Sequence, residues 1–173
     1  MAVRRILLTG CSGAGKSALL AEMAARGWDT VKEPGRRVTR AEERMGGTGL
    51  PWIDPERFAR LCLKMAMADW EGARAGTVIF DRGVLDAALA LARADAEPGA
   101  AAGRCTYDLA VLAPPWESIF DRDPERQHSF DDAVAEYEDI AAALADLGME
   151  VETLPEAPVA ARADWLEAIL RAR

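Results

Sequence analysis

The chain has 173 residues, half of them apolar, with 29 acidic against 21 basic side chains and a formal charge of -8. That length suits one ordinary domain, residues 1–173, with a core that needs neither disulfides nor a structural metal. The acidic balance leaves no global positive field for a phosphate backbone or anionic lipid, which argues against nucleic acid and membrane as partners.

Residues 3–9 form an apolar run that predicts a buried strand and is far too short for a signal peptide or a membrane span. It leads into Gly10-Cys11-Ser12-Gly13-Ala14-Gly15-Lys16-Ser17, followed by helix formers up to Arg26 and a terminating Gly27. Strand, glycine-rich loop and helix in this order make a Walker A P-loop. Its glycines let the backbone wrap a phosphate chain and aim N–H groups at it, Lys16 reaches the β and γ phosphates, and the Ser17 hydroxyl suits Mg²⁺. Gly10, Ser12, Gly13, Ala14, Gly15, Lys16 and Ser17 are therefore the expected ATP-binding residues.

Residues 29–32 read as a weak second strand. Glu33-Pro34-Gly35 follows as a turn, and residues 41–53, with three glycines and Pro51, read as a mobile loop. Glu33 sits at the carboxyl edge of the sheet, where a carboxylate can take a proton from a substrate hydroxyl. Arg36, Arg37 and Arg40 come next and can bind an anionic acceptor. Asp54-Pro55 has the form of a helix cap, with Phe58, Leu61, Cys62 and Met65 at helical spacing, and the helix is expected to run to about residue 75.

Residues 77–80 predict a buried parallel strand ending at Asp81-Arg82-Gly83. Asp81 is placed to hold Mg²⁺, or to serve as the base in place of Glu33, and Arg82 lies over the same crevice. Residues 84–93 read as a helix and 107–113 as a fourth strand closed by Pro114-Pro115. The charged stretch 121–128 is expected to form a short lid, in which Arg122 or Arg126 spreads charge toward the transferring phosphoryl group. His128, the one histidine, is read as structural. Ser129 and Asp132 make a capping box for a helix carrying Val134, Tyr137, Ile140, Leu144 and Leu147. A short strand at 150–154 and a last helix close the chain. Trp52, Trp70 and Trp116 are candidate pocket walls, Trp52 above all. Cys11, Cys62 and Cys105 lack the spacing of a zinc site or dithiol, which fits a reducing cytoplasm. The alternation throughout predicts a three-layer α/β P-loop fold of about five parallel strands with helices on both faces, binding ligands at the strands' carboxyl ends.

These motifs resemble the P-loop kinases of nucleosides and nucleotides, and within them the small bacterial AAA-type predicted ATPases of AAA domain family 28, over nearly the whole chain. Lys32-Glu33-Pro34-Gly35-Arg36 is similar to the Glu-Pro turn of deoxynucleoside kinases and the Glu-Pro-Gly turn of thymidylate kinases, and Phe80-Asp81-Arg82-Gly83 to their Asp/Glu-Arg segment. The family likeness also takes in Leu50-Pro51-Trp52, Pro114-Pro115-Trp116, 126–130 and Leu154-Pro155. It implies base or substrate contacts for Glu33 and a place near the transferring phosphate for Arg82. Thymidylate specificity is not implied, because Arg36 stands where the second glycine of Gly-Gly-Thr would be. A GTPase would need an Asn-Lys-x-Asp motif, and an AAA+ machine a longer module.

The expected function is an ATP- and Mg²⁺-dependent phosphotransferase acting on the hydroxyl or phosphate of a nucleoside, nucleotide or antibiotic-like acceptor. Its acceptor side spans residues 33–75. The alternatives are a nucleotide-responsive regulatory ATPase and, more weakly, a kinase of modified nucleic acid.

Overall fold

The computed structural model describes residues 3–100, 102–120 and 129–172. Among them, β1 (Arg4–Gly10), β2 (Asp29–Val31), β3 (Thr77–Asp81), β4 (Leu109–Ala113) and β5 (Val151–Thr153) form one parallel sheet in the order β2-β3-β1-β4-β5. The helices are α1 (Lys16–Ala25), α2 (Pro34–Met45), α3 (Pro55–Gly72), α4 (Val84–Arg93), α5 (Phe130–Asp146) and α6 (Val159–Ala172).

The central strands are apolar without interruption because both faces are covered. Ile6, Leu8, Ile79, Val111 and Ala113 pack with Leu19 and Met23 of α1 and Leu166 and Leu170 of α6. The alternate residues Leu7, Val78, Phe80, Ala110 and Leu112 pack on the other face, against Ile140 and Leu144 of α5 and Leu85 and Leu89 of α4. A third cluster, with Val38, Ala59, Leu63, Val84 and Leu91, joins α2, α3 and α4 into a wall beside the sheet. β1 and β4 are neighbours, yet the chain leaves β1 toward β2 and leaves β4 toward β5 on the opposite edge. This divergence opens a crevice outside their carboxyl ends.

One expectation is overturned. Residues 34–45 are helix α2, where a turn and the start of a mobile loop were predicted. Pro34 opens the helix at its first position, where a missing N–H costs nothing, and residues 36–45 contain neither glycine nor proline. Gly46, with φ of 65°, ends it in the left-handed conformation. The loop that follows is held by the buried Glu42, whose Oε2 accepts from the Gly49 N–H at 2.7 Å. Helix α3 is shorter than predicted and stops at Gly72. Its Asp54 cap is present, accepting from the Arg57 N–H, as is the Ser129–Asp132 capping box of α5. No helix among the described residues is long and apolar enough to cross a membrane.

Candidate active site

The P-loop joins β1 to α1 and its shape depends on glycine. Gly10 has φ of 120°, and a Cβ there would lie 2.2 Å from the Ala113 carbonyl oxygen, so β4 lies too close for any side chain. Gly15, at φ of 73°, starts α1 with no side-chain cap, leaving its first N–H groups facing the crevice. Lys16 is buried and folded over the loop, donating from Nζ to the carbonyls of Gly10 at 3.0 Å and Cys11 at 2.5 Å. Burial, and after it the Arg82 charge, hold its pKa below the usual lysine value.

Ser17 Oγ donates to Asp81 Oδ2 at 2.9 Å, bringing together the two residues predicted to hold a metal. Asp81 is 2 % exposed, and its other oxygen, Oδ1, has no hydrogen-bond partner. Burial pushes its pKa up, more strongly than Lys16 pulls it down. A hydroxyl beside a carboxylate with an orphaned oxygen suits a hard cation such as Mg²⁺. Among the described residues no group of three or more His, Cys, Asp or Glu could hold a metal ion.

Arg82 is the hub. Its φ of 60° is unusual for a non-glycine residue and costs on the order of 1–2 kcal/mol. Its N–H extends the β1 ladder by donating to the Leu8 carbonyl. The guanidinium meets Glu136 at 2.9 Å, Asp86 at 3.2 Å and Glu33 at 3.5 Å. Burial alone would lower its pKa, but Glu136, Asp86 and Glu33 outweigh burial and raise it, so Arg82 stays charged. Asp86 is itself fixed by the Thr9 hydroxyl at 2.6 Å and the Gly83 N–H at 2.8 Å. Glu136 reaches across from α5 and accepts from the Ser12 N–H of the P-loop at 2.8 Å. Burial tends to raise its pKa, but Arg82, the Ser12 N–H and Lys16 together hold it below the ordinary glutamate value.

Beyond Arg82 lies a cleft of about 1000 Å³ walled by α2, α3, α4 and α5. Glu33, Arg36 and Arg40 line one side, Asp86 and Arg93 the other, with Phe58 and Cys62 deeper and Trp52 at the rim, 56 % exposed. Arg36 Nε lies 3.2 Å from Glu33 Oε2. Burial, and then the nearby Glu33 charge, push the Cys62 thiol up to about 12, so it lies there as a neutral, inert group.

The structure thus gathers Ser12, Lys16, Ser17, Glu33, Asp81 and Arg82 at one edge and faces Arg36 and Trp52 into the cleft. It does not bring Arg37 there: that guanidinium turns back to Asp69 of α3, at 2.5 Å. Trp70 donates to the Thr106 carbonyl and lies under Arg5, and Trp116 stands by Arg162 of α6, so neither lines the cleft. Arg122, Arg126 and His128 lie outside the described residues. Sequence reasoning missed Asp86, whose signal was the i,i+4 spacing from Arg82. It also missed Glu136, an acid three positions after the buried Ala133 and four before the buried Ile140, on the inward stripe of α5.

No curated protein matches the sequence. Among solved structures, a deoxyadenosine kinase from M. mycoides with the products dCMP and a flexible dCDP bound is similar at a TM-score of 0.68 and 15 % identity, over 98 % of this chain and 100 % of that one. A shikimate kinase from Acinetobacter baumannii in complex with shikimate is similar at a TM-score of 0.61 and 18 % identity, over 98 % and 92 % of the two chains. At such identities these likenesses establish the fold, a P-loop kinase fold with a five-stranded parallel sheet. The AAA domain model AAA_28 matches residues 5–162, nearly the whole sheet and its helices, and the chain belongs to that family.

Proposed function

We propose that this chain is an ATP- and Mg²⁺-dependent phosphotransferase acting on the hydroxyl or phosphate of a small molecule bound in the cleft. One observation carries the reading: the P-loop with its Ser17–Asp81 pair and a cleft of substrate size meet at a single part-buried arginine, Arg82. We read the whole as one P-loop kinase-like domain with residues 33–75 as its acceptor side, working in a reducing cytoplasm, where the free thiols of Cys11, Cys62 and Cys105 persist.

In this reading the P-loop N–H groups and Lys16 bind the triphosphate, Lys16 leaving the carbonyls of Gly10 and Cys11 for phosphate oxygens. Ser17 and Asp81 would hold Mg²⁺, which when bound neutralises charge on the β and γ oxygens. Glu33, rather than Asp81, is the base, because Glu33 lines the cleft while Asp81 is turned to Ser17. It takes the acceptor's hydroxyl proton as the acceptor oxygen bonds to the γ phosphorus; the bridging bond breaks and its electron pair leaves with ADP. An acceptor phosphate, already ionised, needs no base. Arg82 steadies the equatorial oxygens of the group in flight. Arg36 and Arg40 would bind an anionic part of the acceptor, and Trp52 and Phe58 would cover an apolar part.

γ-Labelled ATP incubated with Mg²⁺ and a panel of nucleosides, nucleotides and other small alcohols tests the reading. Label should move to an acceptor. Release as inorganic phosphate alone, across a broad panel, would overturn it in favour of a regulatory ATPase. That second reading draws on the Ser12–Glu136 contact, since phosphate arriving at the Ser12 N–H must displace Glu136 and so act on α5. A protein partner captured only with ATP would support it.

A further inference from the structure

A buried arginine lies beside the P-loop and, unlike the part-buried Arg82, meets no counter-charge among the described residues. Arg162, in the first turn of α6, is 5 % exposed. Its Nη1 donates to the Ala14 carbonyl at 3.2 Å, its Nε has no hydrogen-bond partner, and no carboxylate among the described residues lies within ion-pair distance. A Cβ on Gly15 would stand 2.8 Å from Nη1 and 3.1 Å from Nη2, so the guanidinium packs directly against the loop. The Trp116 ring lies alongside, its centroid 5.6 Å from the guanidinium carbon. Burial pushes the pKa of Arg162 down, as expected of a charge taken out of water without a partner. Such a charge is costly to fold around unless an anion offsets it. The place where an anion is expected is the phosphate cradle that Ala14 and Gly15 help to form.

We propose that Arg162 is a positioning residue of the donor site, a fixed cation behind the P-loop that holds Ala14 by its carbonyl and whose missing counter-charge is the polyphosphate of the bound nucleotide. This rests on the donor half of the proposed function, the binding of a nucleoside triphosphate, and not on phosphoryl transfer. Since the effect runs through charge, it follows the phosphates and not the base.

The test is calorimetric titration of wild type, Arg162→Lys and Arg162→Gln with ATP, inorganic tripolyphosphate and adenosine. Arg162→Lys should bind ATP and tripolyphosphate within a few-fold of wild type, whereas Arg162→Gln should lose on the order of tenfold for both, with adenosine unaffected. Equal losses in the two variants, no loss in Arg162→Gln, or a loss confined to ATP and adenosine would overturn the proposal. Should Arg162→Gln fail to fold, the Nε–H resonance of Arg162 in the wild type, assigned by its absence in Arg162→Lys, gives the same answer. It should move on addition of tripolyphosphate and not of adenosine; the reverse would refute the assignment. A wild type that binds no tripolyphosphate would overturn this inference and the donor reading together. A wild type that binds ATP tightly but phosphorylates nothing would overturn only the phosphotransferase reading.

Discussion

On the donor side of Arg82 the site is made mainly from one short segment and its backbone, eight consecutive residues joined by Asp81, with Lys16 satisfied by the loop's own carbonyls and α1 opening uncapped behind them. On the acceptor side it is made from side chains on four helices and the segments that lead into them, with Glu33, Arg36, Trp52, Asp86 and Glu136 brought together from more than a hundred positions of sequence. Backbone groups recognise any phosphate chain and tolerate little change in shape, whereas a wall of separate side chains can be altered one contact at a time. Donor binding and acceptor choice should therefore come apart on mutation.

The largest effect is expected on the donor side. Asp81→Asn should cut phosphoryl transfer on the order of a hundredfold or more, with the Mg²⁺ dependence of the residual rate shifted to higher concentration. Because burial raises the Asp81 pKa in the folded protein, ionising this carboxylate costs more in the folded than in the unfolded chain, so the neutral asparagine should leave the Mg²⁺-free melting temperature unchanged or higher. Melting curves and initial rates over a Mg²⁺ series check both. A lower melting temperature would make Asp81 a structural anchor instead.

A smaller and opposite pattern is expected at the rim. Trp52→Ala should raise the KM for the acceptor about tenfold while the KM for ATP holds, since an exposed ring contributes to substrate cover and little to the core. Steady-state kinetics with each substrate varied in turn separates the two.

The smallest effect concerns the bridge between the halves. The folded Glu136 titrates below its ordinary value of 4.5, so its stabilising contribution is complete above that value and is lost as pH falls through the depressed one. Denaturant unfolding from pH 7 down to acid should therefore fall less steeply below about pH 4.5 in Glu136→Gln than in wild type. Parallel curves would show that the Arg82 and Ser12 contacts do not couple Glu136 to stability.

The donor half was legible in the sequence because its chemistry is local: Gly10 to Ser17 carry their meaning in spacing, and an apolar strand ending at Asp81 needs only its neighbours to be read. Local signals misled at residues 34–45, where Pro and Gly after Glu33 suggest a turn; the helix is secured by Pro34 at its first position and by Val38 packing with the α3–α4 wall. Arg37 looked equivalent to Arg36, but adjacent residues on a helix point about 100° apart, and Arg37 faces Asp69. Glu136 and Arg162 carry no local motif at all. They act on the P-loop from 124 and 148 positions away, and only the parallel order of the sheet brings α5 and α6 to it.

The separation of donor from acceptor is tested most directly by Glu33→Gln, with ATP affinity and phosphoryl transfer to a hydroxyl acceptor measured on the same preparation. The account predicts an unchanged ATP dissociation constant and a transfer rate lowered on the order of a hundredfold. An undiminished rate, or a loss of ATP affinity in step with the rate, would contradict it.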